Sequence, residues 1–258
     1  MSMADILVWG KGPAALVVLA GLCLVLLGTY FAQRRLARRG AIYRLRPIAA
    51  YDVIAQLLAR SRREEGIVCA SPGFGHLGTL TTSEALAGLS VAQYLLVRSE
   101  GAEASVVVAN ADAGLHLLMQ NILGGRADLE ARLGEPPVQF VAAERAAFAL
   151  GANNILGAKR YSAGALVGRY GDEYLVVDAA AEGGTCAGTV EAAGLAAMEL
   201  AAEEVSRGEE VYAAGAYLLR RSPAVASLAV QDLVRLVVVL LLVLVLAFGL
   251  AGLGSVLF

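Results

Sequence analysis

The chain has little with which to do chemistry. It holds two histidines, three cysteines and one tryptophan in 258 residues, and only 17% of it is charged. Cys23, Cys69 and Cys186 are odd in number and far apart, which excludes a disulfide framework and a zinc site. Buried free thiols in a reducing compartment are the expectation. No G-x-x-x-x-G-K-S/T loop, G-x-S-x-G elbow or H-E-x-x-H helix occurs, so the usual phosphate-loop, esterase and zinc-protease chemistries have no carrier. Positive charge is missing where a nucleic acid would need it. Between Pro47 and Leu219 there are 21 acidic and 11 basic residues, a net −10, which excludes nucleic acid as a partner.

Apolar residues are plentiful, 58% of the chain, and they gather at its two ends. Pro13–Gln33 is uncharged and long enough to cross a hydrocarbon core of about 30 Å. Its charges come after it and no small-x-small cleavage site follows, so it reads as a permanent anchor rather than a cleaved leader. Leu233–Phe258 suffices for one more crossing, with Leu236–Phe258 uncharged. Arg34, Arg35, Arg38 and Arg39 follow the first run; Arg220, Arg221 and Arg235 flank the second on the same side. The positive-inside rule then predicts two spans in the inner (cytoplasmic) membrane, a cytoplasmic middle and both termini outside, with these arginines facing lipid headgroups. Gly28 and Ala32 in the first span, and Ala247, Gly249 and Ala251 in the second, permit close helix packing within the chain, in a homo-oligomer or against other membrane subunits. The expected organisation is a short outer N-terminus (1–12), a first transmembrane helix (13–33), a basic linker (34–46), an α/β domain (47–222) and a second transmembrane helix (233–258).

The middle alternates apolar runs with helical patterns. Strands are predicted at Ile67–Ser71, Ala104–Ala109, Val138–Ala142, Ala163–Arg169 and Thr185–Gly188. Helices are predicted from Pro47 to about Glu65, closed by Gly66; from Thr81–Ser83 to Arg98; around Leu115–Ile122; over Arg126–Leu133; over Glu144–Leu150; and over Val190–Ser206. Gly151–Tyr161 reads as a loop and Glu209–Leu219 as a weak segment with edge-strand character. Gly171–Glu182 is either a hairpin arm or a helix, and its alanines and double glycine favour the helix. This order predicts a mostly parallel sheet of about five strands with helices on both faces.

One stretch offers a ligand site. Gly73-Phe74-Gly75-His76-Leu77-Gly78 is a G-x-G-x-x-G between a strand and a helix, followed by Thr79, Thr81 and Thr82. Glycines there let backbone N–H groups approach a phosphate or carboxylate, and hydroxyls add donors. The acid that a dinucleotide site expects about 20 residues on is missing. Asp112, at the end of the second strand, lies 34 residues past Gly78. A tight structural turn is the plainer explanation of the glycines. His76 is a weak candidate for acid–base work, and His116 approaches it if both strand ends face one crevice.

Ala50–Arg62 (AYDVIAQLLARSR), the loop with Thr79–Leu89 (TLTTSEALAGL), Gly171–Gly184 (GDEYLVVDAAAEGG) and Glu209–Leu218 (EEVYAAGAYL) resemble a domain-of-unknown-function family (six-seven-five-four) of bacterial membrane proteins. The resemblance covers nearly the whole chain. It implies a Rossmann-like middle domain between two terminal transmembrane helices, supports the helix at Gly171–Glu182, and implies no activity or cofactor. Ser71-Pro72 and Phe74-Gly75-His76 depart from the family's glycine-richer loop. Three functions follow as expectations: a membrane-anchored domain that binds a ligand or partner without catalysis, a membrane-tethered enzyme or sensor holding a nucleotide or other anion at the loop, and a structural subunit of a larger membrane assembly.

Overall fold

The structure, a computed structural model, describes residues 13–38, 45–102, 104–123, 130–131, 133–158, 161–181 and 184–257. The chain forms two compact units, Leu45–Arg220 and a second made from the segments on either side of it. In the second unit, α1 (Pro13–Arg38) packs against the long helix that ends the chain, Ser222–Leu257. Pro223 sits in the first turn of that helix, where a missing N–H costs nothing. Its Ser222–Leu240 stretch is long and apolar enough to cross a membrane, with a mean hydropathy of 1.8. Leu24, Val25 and Phe31 of α1, and Val239, Leu242 and Leu246 of the long helix, are exposed. Thr29 returns its hydroxyl to the carbonyls of Val25 and Leu26, at 3.0 and 2.9 Å, so it needs no partner outside its own helix. A Cβ on Gly28 would meet nothing within 4 Å, so within this chain the described residues make no close contact at that glycine. The side chains of Ala247, Gly249 and Ala251 lie outside the described set.

In the first unit, α2 (Ala49–Glu64) leads to β1 (Ile67–Gly73), α3 (Thr82–Ala102), β2 (Ser105–Asn110), α4 (Ala113–Leu123), β3 (Val138–Phe140), α5 (Arg145–Ala158), β4 (Tyr161–Arg169), α6 (Tyr174–Asp178), β5 (Gly184–Thr189), α7 (Ala192–Ala201) and β6 (Glu204–Arg207). A 3₁₀ turn over Gly208–Ala213 and the short α8 (Ala214–Tyr217) follow; the long terminal helix is α9. The strands form one all-parallel sheet in the order β3-β2-β1-β4-β5-β6. This is the Rossmann-like order, whose direction reverses between β1 and β4. Both faces are covered, so the inner strands carry apolar residues on both sides, as in Val106–Val108 and Ala165–Val167. Helices α2, α3, α4 and α8 contact one another and the sheet on one face, and α5, α6 and α7 form a chain of contacts on the other. α2 is amphipathic: Ala50, Tyr51, Ile54, Leu57, Leu58 and Ser61 are buried at helical spacing against β4–β6.

Four local expectations change. The sheet has six strands because Glu204–Arg207 leaves the helix predicted to run through Ser206. Glu203 N–H donates to Thr185 O at 2.8 Å and starts pairing with β5, and this tertiary pairing overrides a polar, helix-compatible sequence. Glu209–Leu219 is a 3₁₀ turn and short helix rather than an edge strand. Gly151 does not break α5, which continues to Ala158; a Cβ there would lie 2.3 Å from Val141 Cγ1, so the glycine is a packing contact. Gly66 is not the left-handed cap of α2, a conformation Glu65 takes at φ 51°. A Cβ on Gly66 would sit 2.5 Å from Ser162 Cβ. Gly171–Glu182 contains helix α6, and most of the helix expected at Arg126–Leu133 lies outside the described residues.

The two ends of this unit are tied together. The Tyr217 hydroxyl donates to Arg46 O, and its ring stacks on Tyr51 with centroids 5.2 Å apart. Tyr51 in turn donates to Glu210 O at 2.6 Å, and Arg46 pairs with the Glu210 carboxylate at 2.5 Å.

Two glycine replacements should separate close packing from mere helix-breaking. A Cβ on Gly88 would lie 2.3 Å from Val167 O and 2.5 Å from Pro72 Cα, both backbone atoms that cannot rotate away. Gly88→Ala is expected to cost about 3 kcal/mol, in the overpacking range. At Gly157 the nearest atom is Ala180 Cβ at 3.6 Å. Gly157→Ala is expected to gain up to about 1 kcal/mol from helix propensity. Thermal unfolding of the purified full chain reads both.

Candidate functional site

The glycine loop lies at the carboxyl edge of the sheet, at the switch between β1 and β4, where Rossmann-like sheets open a crevice. Here the two strand ends close on each other. Phe74 N–H donates to Arg169 O at 2.8 Å. Gly73, at φ +68°, would place a Cβ 2.1 Å from that same oxygen, and Gly168 would place one 2.1 Å from Pro72 O. Tyr170 fills the space beneath, fully buried, with its hydroxyl 3.4 Å from Ser71 O. Gly75 meets the first turn of α3, with Ala85 Cβ 3.0 Å from its own Cβ position. Gly78, at φ +77°, has nothing within 4 Å and serves the turn. Two of the three motif glycines therefore make room for the protein's own backbone.

The threonine hydroxyls bond back onto the loop itself. Thr79 donates its hydroxyl to His76 O at 3.0 Å, Thr81 Oγ1 accepts His76 N–H at 3.0 Å, and Thr82 donates to Thr79 O at 2.7 Å. Leu80, between them, is 100% exposed. His76 Nδ1 lies 3.2 Å from Asp112 Oδ2, and the ring stands edge-on to Phe74. Asp112 Oδ1 accepts Leu115 N–H at 2.8 Å, capping α4. His116 reaches the same turn from the helix side: its Nδ1 is 3.4 Å from Asn110 Nδ2, and Gln120 lies 2.9 Å from its Nε2. Asn110 is fully buried and donates to Gln139 O at 3.0 Å, while its Oδ1 has no hydrogen-bond partner. The structure thus joins His76, Thr79, Thr81, Thr82 and Asp112 in one hydrogen-bonded corner. Asn110 is the residue of that corner that sequence reading missed; its place at the last position of β2 was the available signal.

A charge network covers the rest of the carboxyl edge. Arg169 contacts Glu84 at 3.4 Å and Glu191 at 3.0 Å. Arg145 contacts Glu173, Asp172 at 3.0 Å and Glu191 at 3.6 Å. Two arginines thus face four carboxylates, and Glu84 occupies the first turn of α3, where a phosphate would meet the helix N-terminus. Burial pushes the Glu84 carboxyl above its ordinary range, opposed by Arg169 and aided by Glu191. Burial also pushes the Cys69 and Cys186 thiols up to about 12, so neither carries useful thiolate at neutral pH. The candidate interface arginines lie elsewhere. Arg34, Arg35 and Arg38 occupy the end of α1, with Arg35 and Arg38 exposed; Arg39 falls outside the described residues. Arg220, at φ 48°, and Arg221 are exposed before α9, and Arg235 pairs with Asp232 at 3.2 Å. Among the described residues no group of His, Cys, Asp and Glu is placed to hold a metal.

The raised Glu84 pKa carries a pH signature. The folded domain binds this proton more tightly than the unfolded chain, so the group favours folding at low pH, and that advantage is lost as pH rises through the folded pKa. Glu84→Gln is neutral throughout. It is expected to melt above the native chain near neutral pH, with the difference closing as pH falls into the carboxylate range; a series of thermal melts across that window checks it.

No curated protein and no solved structure matches the chain. A family profile matches residues 9–254, nearly its whole length, on the residues that form both units. The chain belongs to the family described as Domain of unknown function (DUF6754).

Proposed function

We propose that the chain is a membrane anchor for its Rossmann-like unit, held by α1 and α9 with that unit in the cytoplasm, and that the unit binds a protein partner through the rim of the glycine loop without catalysing a reaction. The exposure of Leu80 carries this reading. Around it the loop's hydroxyls and several N–H groups are spent internally, so the tip offers an aliphatic side chain rather than a cradle of donors. Leu117, early in α4 after β2, and Phe140, the last residue of β3, are also exposed. Apolar groups on a polar rim are the ordinary composition of a protein contact. The net negative network around Glu84 weighs against a nucleotide at the switch point, because phosphates would meet like charge. The apolar length of Ser222–Leu240, the exposed aliphatics of α1 and α9, and the arginines on the inner side of each run support the anchor and its orientation.

A photo-crosslinking residue in place of Leu80 is expected to trap one discrete adduct in native membranes. The same residue in place of the exposed Leu200, on α7, is expected to trap none. An empty lane at position 80, or the same ladder from both positions, would falsify the contact. For orientation, Leu200→Cys in a Cys23→Ser background is expected to react with an impermeant maleimide only after lysis. Labelling in intact cells would reverse the topology.

A further inference from the structure

We propose that the groove between α2 and α3, at the opposite edge of the sheet from the glycine loop, binds an anionic phosphate ester with an apolar body. This does not rest on the partner-binding reading above. The groove has a volume of about 680 Å³, within the range of roughly 300–1,000 Å³ usual for small-molecule sites. Its floor is aliphatic, including Leu58 and Val97, and three guanidinium groups line it, Arg62 and Arg63 from the last turns of α2 and Arg98 from α3. Tyr94 also lines the groove, and Arg98 lies over its ring, Cζ 5.8 Å from the centroid.

The pairing pattern of this acidic unit sets the groove apart. Arg60 is held by Glu64 and Glu203, Arg145 by Glu173, Arg169 by Glu84 and Glu191, and Arg207 by Glu199. Arg63 and Arg98 are exposed and have no carboxylate partner among the described residues. Arg62 and Arg63 lie in the last turn of α2, where cations complement the helix dipole, which explains their presence there. It does not explain why residues from two helices converge on one concave surface with an aromatic wall, whose described lining residues include no carboxylate. The partial negative charges of two helix ends are smaller than the two full positive charges of Arg63 and Arg98, so the groove attracts anions. Guanidinium forks match phosphate oxygens, and the Tyr94 face with the aliphatic floor suits a planar or hydrocarbon body.

The test uses the full chain in phosphatidylcholine nanodiscs, titrated calorimetrically with ADP and with glycerol 3-phosphate. Binding by at least one probe is expected, weakened at least about tenfold by Arg63→Gln with Arg98→Gln and unchanged by Arg207→Gln. Arg63 and Arg98 are both exposed, so their replacement leaves the core intact. Adding phosphatidylglycerol to the discs separates the sources. Loss of ADP binding, in the native chain, beyond what matched ionic strength produces would mark a lipid headgroup as occupant, and retained binding a free phosphate ester. If neither probe binds, or if the double variant binds as tightly as the native chain, the proposal fails.

Discussion

The seam between β1 and β4 is the constraint on which the rest of the α/β unit depends. Gly73, Gly88 and Gly168 each face a backbone atom at a distance no Cβ tolerates, so β1, β4 and α3 meet main chain to main chain. The sheet grows outward from this line in two directions, β2 and β3 on one side and β5 and β6 on the other. Tyr170 is buried under the seam, and the Arg169 side chain leaves it to join Glu84 on α3 with Glu191 before α7. In a parallel sheet the crevice at such a reversal is the usual opening. Here close packing has filled it.

That filling moves the surfaces available for recognition. The carboxyl edge retains polar chemistry, but in committed form: His76 with Asp112, the threonines with the His76 backbone, and the arginines with four carboxylates. Leu80 stands fully outward there as an aliphatic tip. Arg63 and Arg98, without a carboxylate partner among the described residues, sit at the amino edge, toward the ends of α2 and α3. Exposed aliphatic groups at one end of the sheet and arginines at the other place the proposed contact surface and the proposed anion groove on opposite edges.

Much of the fold was legible because its signals were local. Val106–Val108 is a β-branched run, the α2 apolar positions recur at helical spacing, and acids and small residues mark the strand-to-helix turns. The family resemblance, read on Ala50–Arg62 and Gly171–Gly184, pointed the same way. β6 was not legible, since Glu204-Val205-Ser206-Arg207 becomes a strand only by pairing with Cys186–Thr189. Gly66 and Gly151 looked like punctuation because a sequence cannot distinguish a breaker from a close contact. The corner of the candidate site was hidden for a similar reason. His76 and Asp112 are 36 residues apart and meet only because β1 and β2 are neighbours. The long α3 carried Asp112 beyond the spacing a dinucleotide motif expects, although it stands just past the end of β2. Arg62, Arg63 and Arg98 belong to no motif, and their convergence follows from helix packing alone.

The clasp of Tyr51, Tyr217, Arg46 and Glu210 makes the α/β unit a closed loop in the chain, with its first and last residues held side by side. Tension applied to the segments before Leu45 and after Arg220 is borne first by that clasp, before it reaches β6. The edge strand, whose four residues pair with β5 alone, is thereby shielded from being unzipped by movements of the helices on either side. Within the unit, a pull on its two ends meets a pair of stacked tyrosines first.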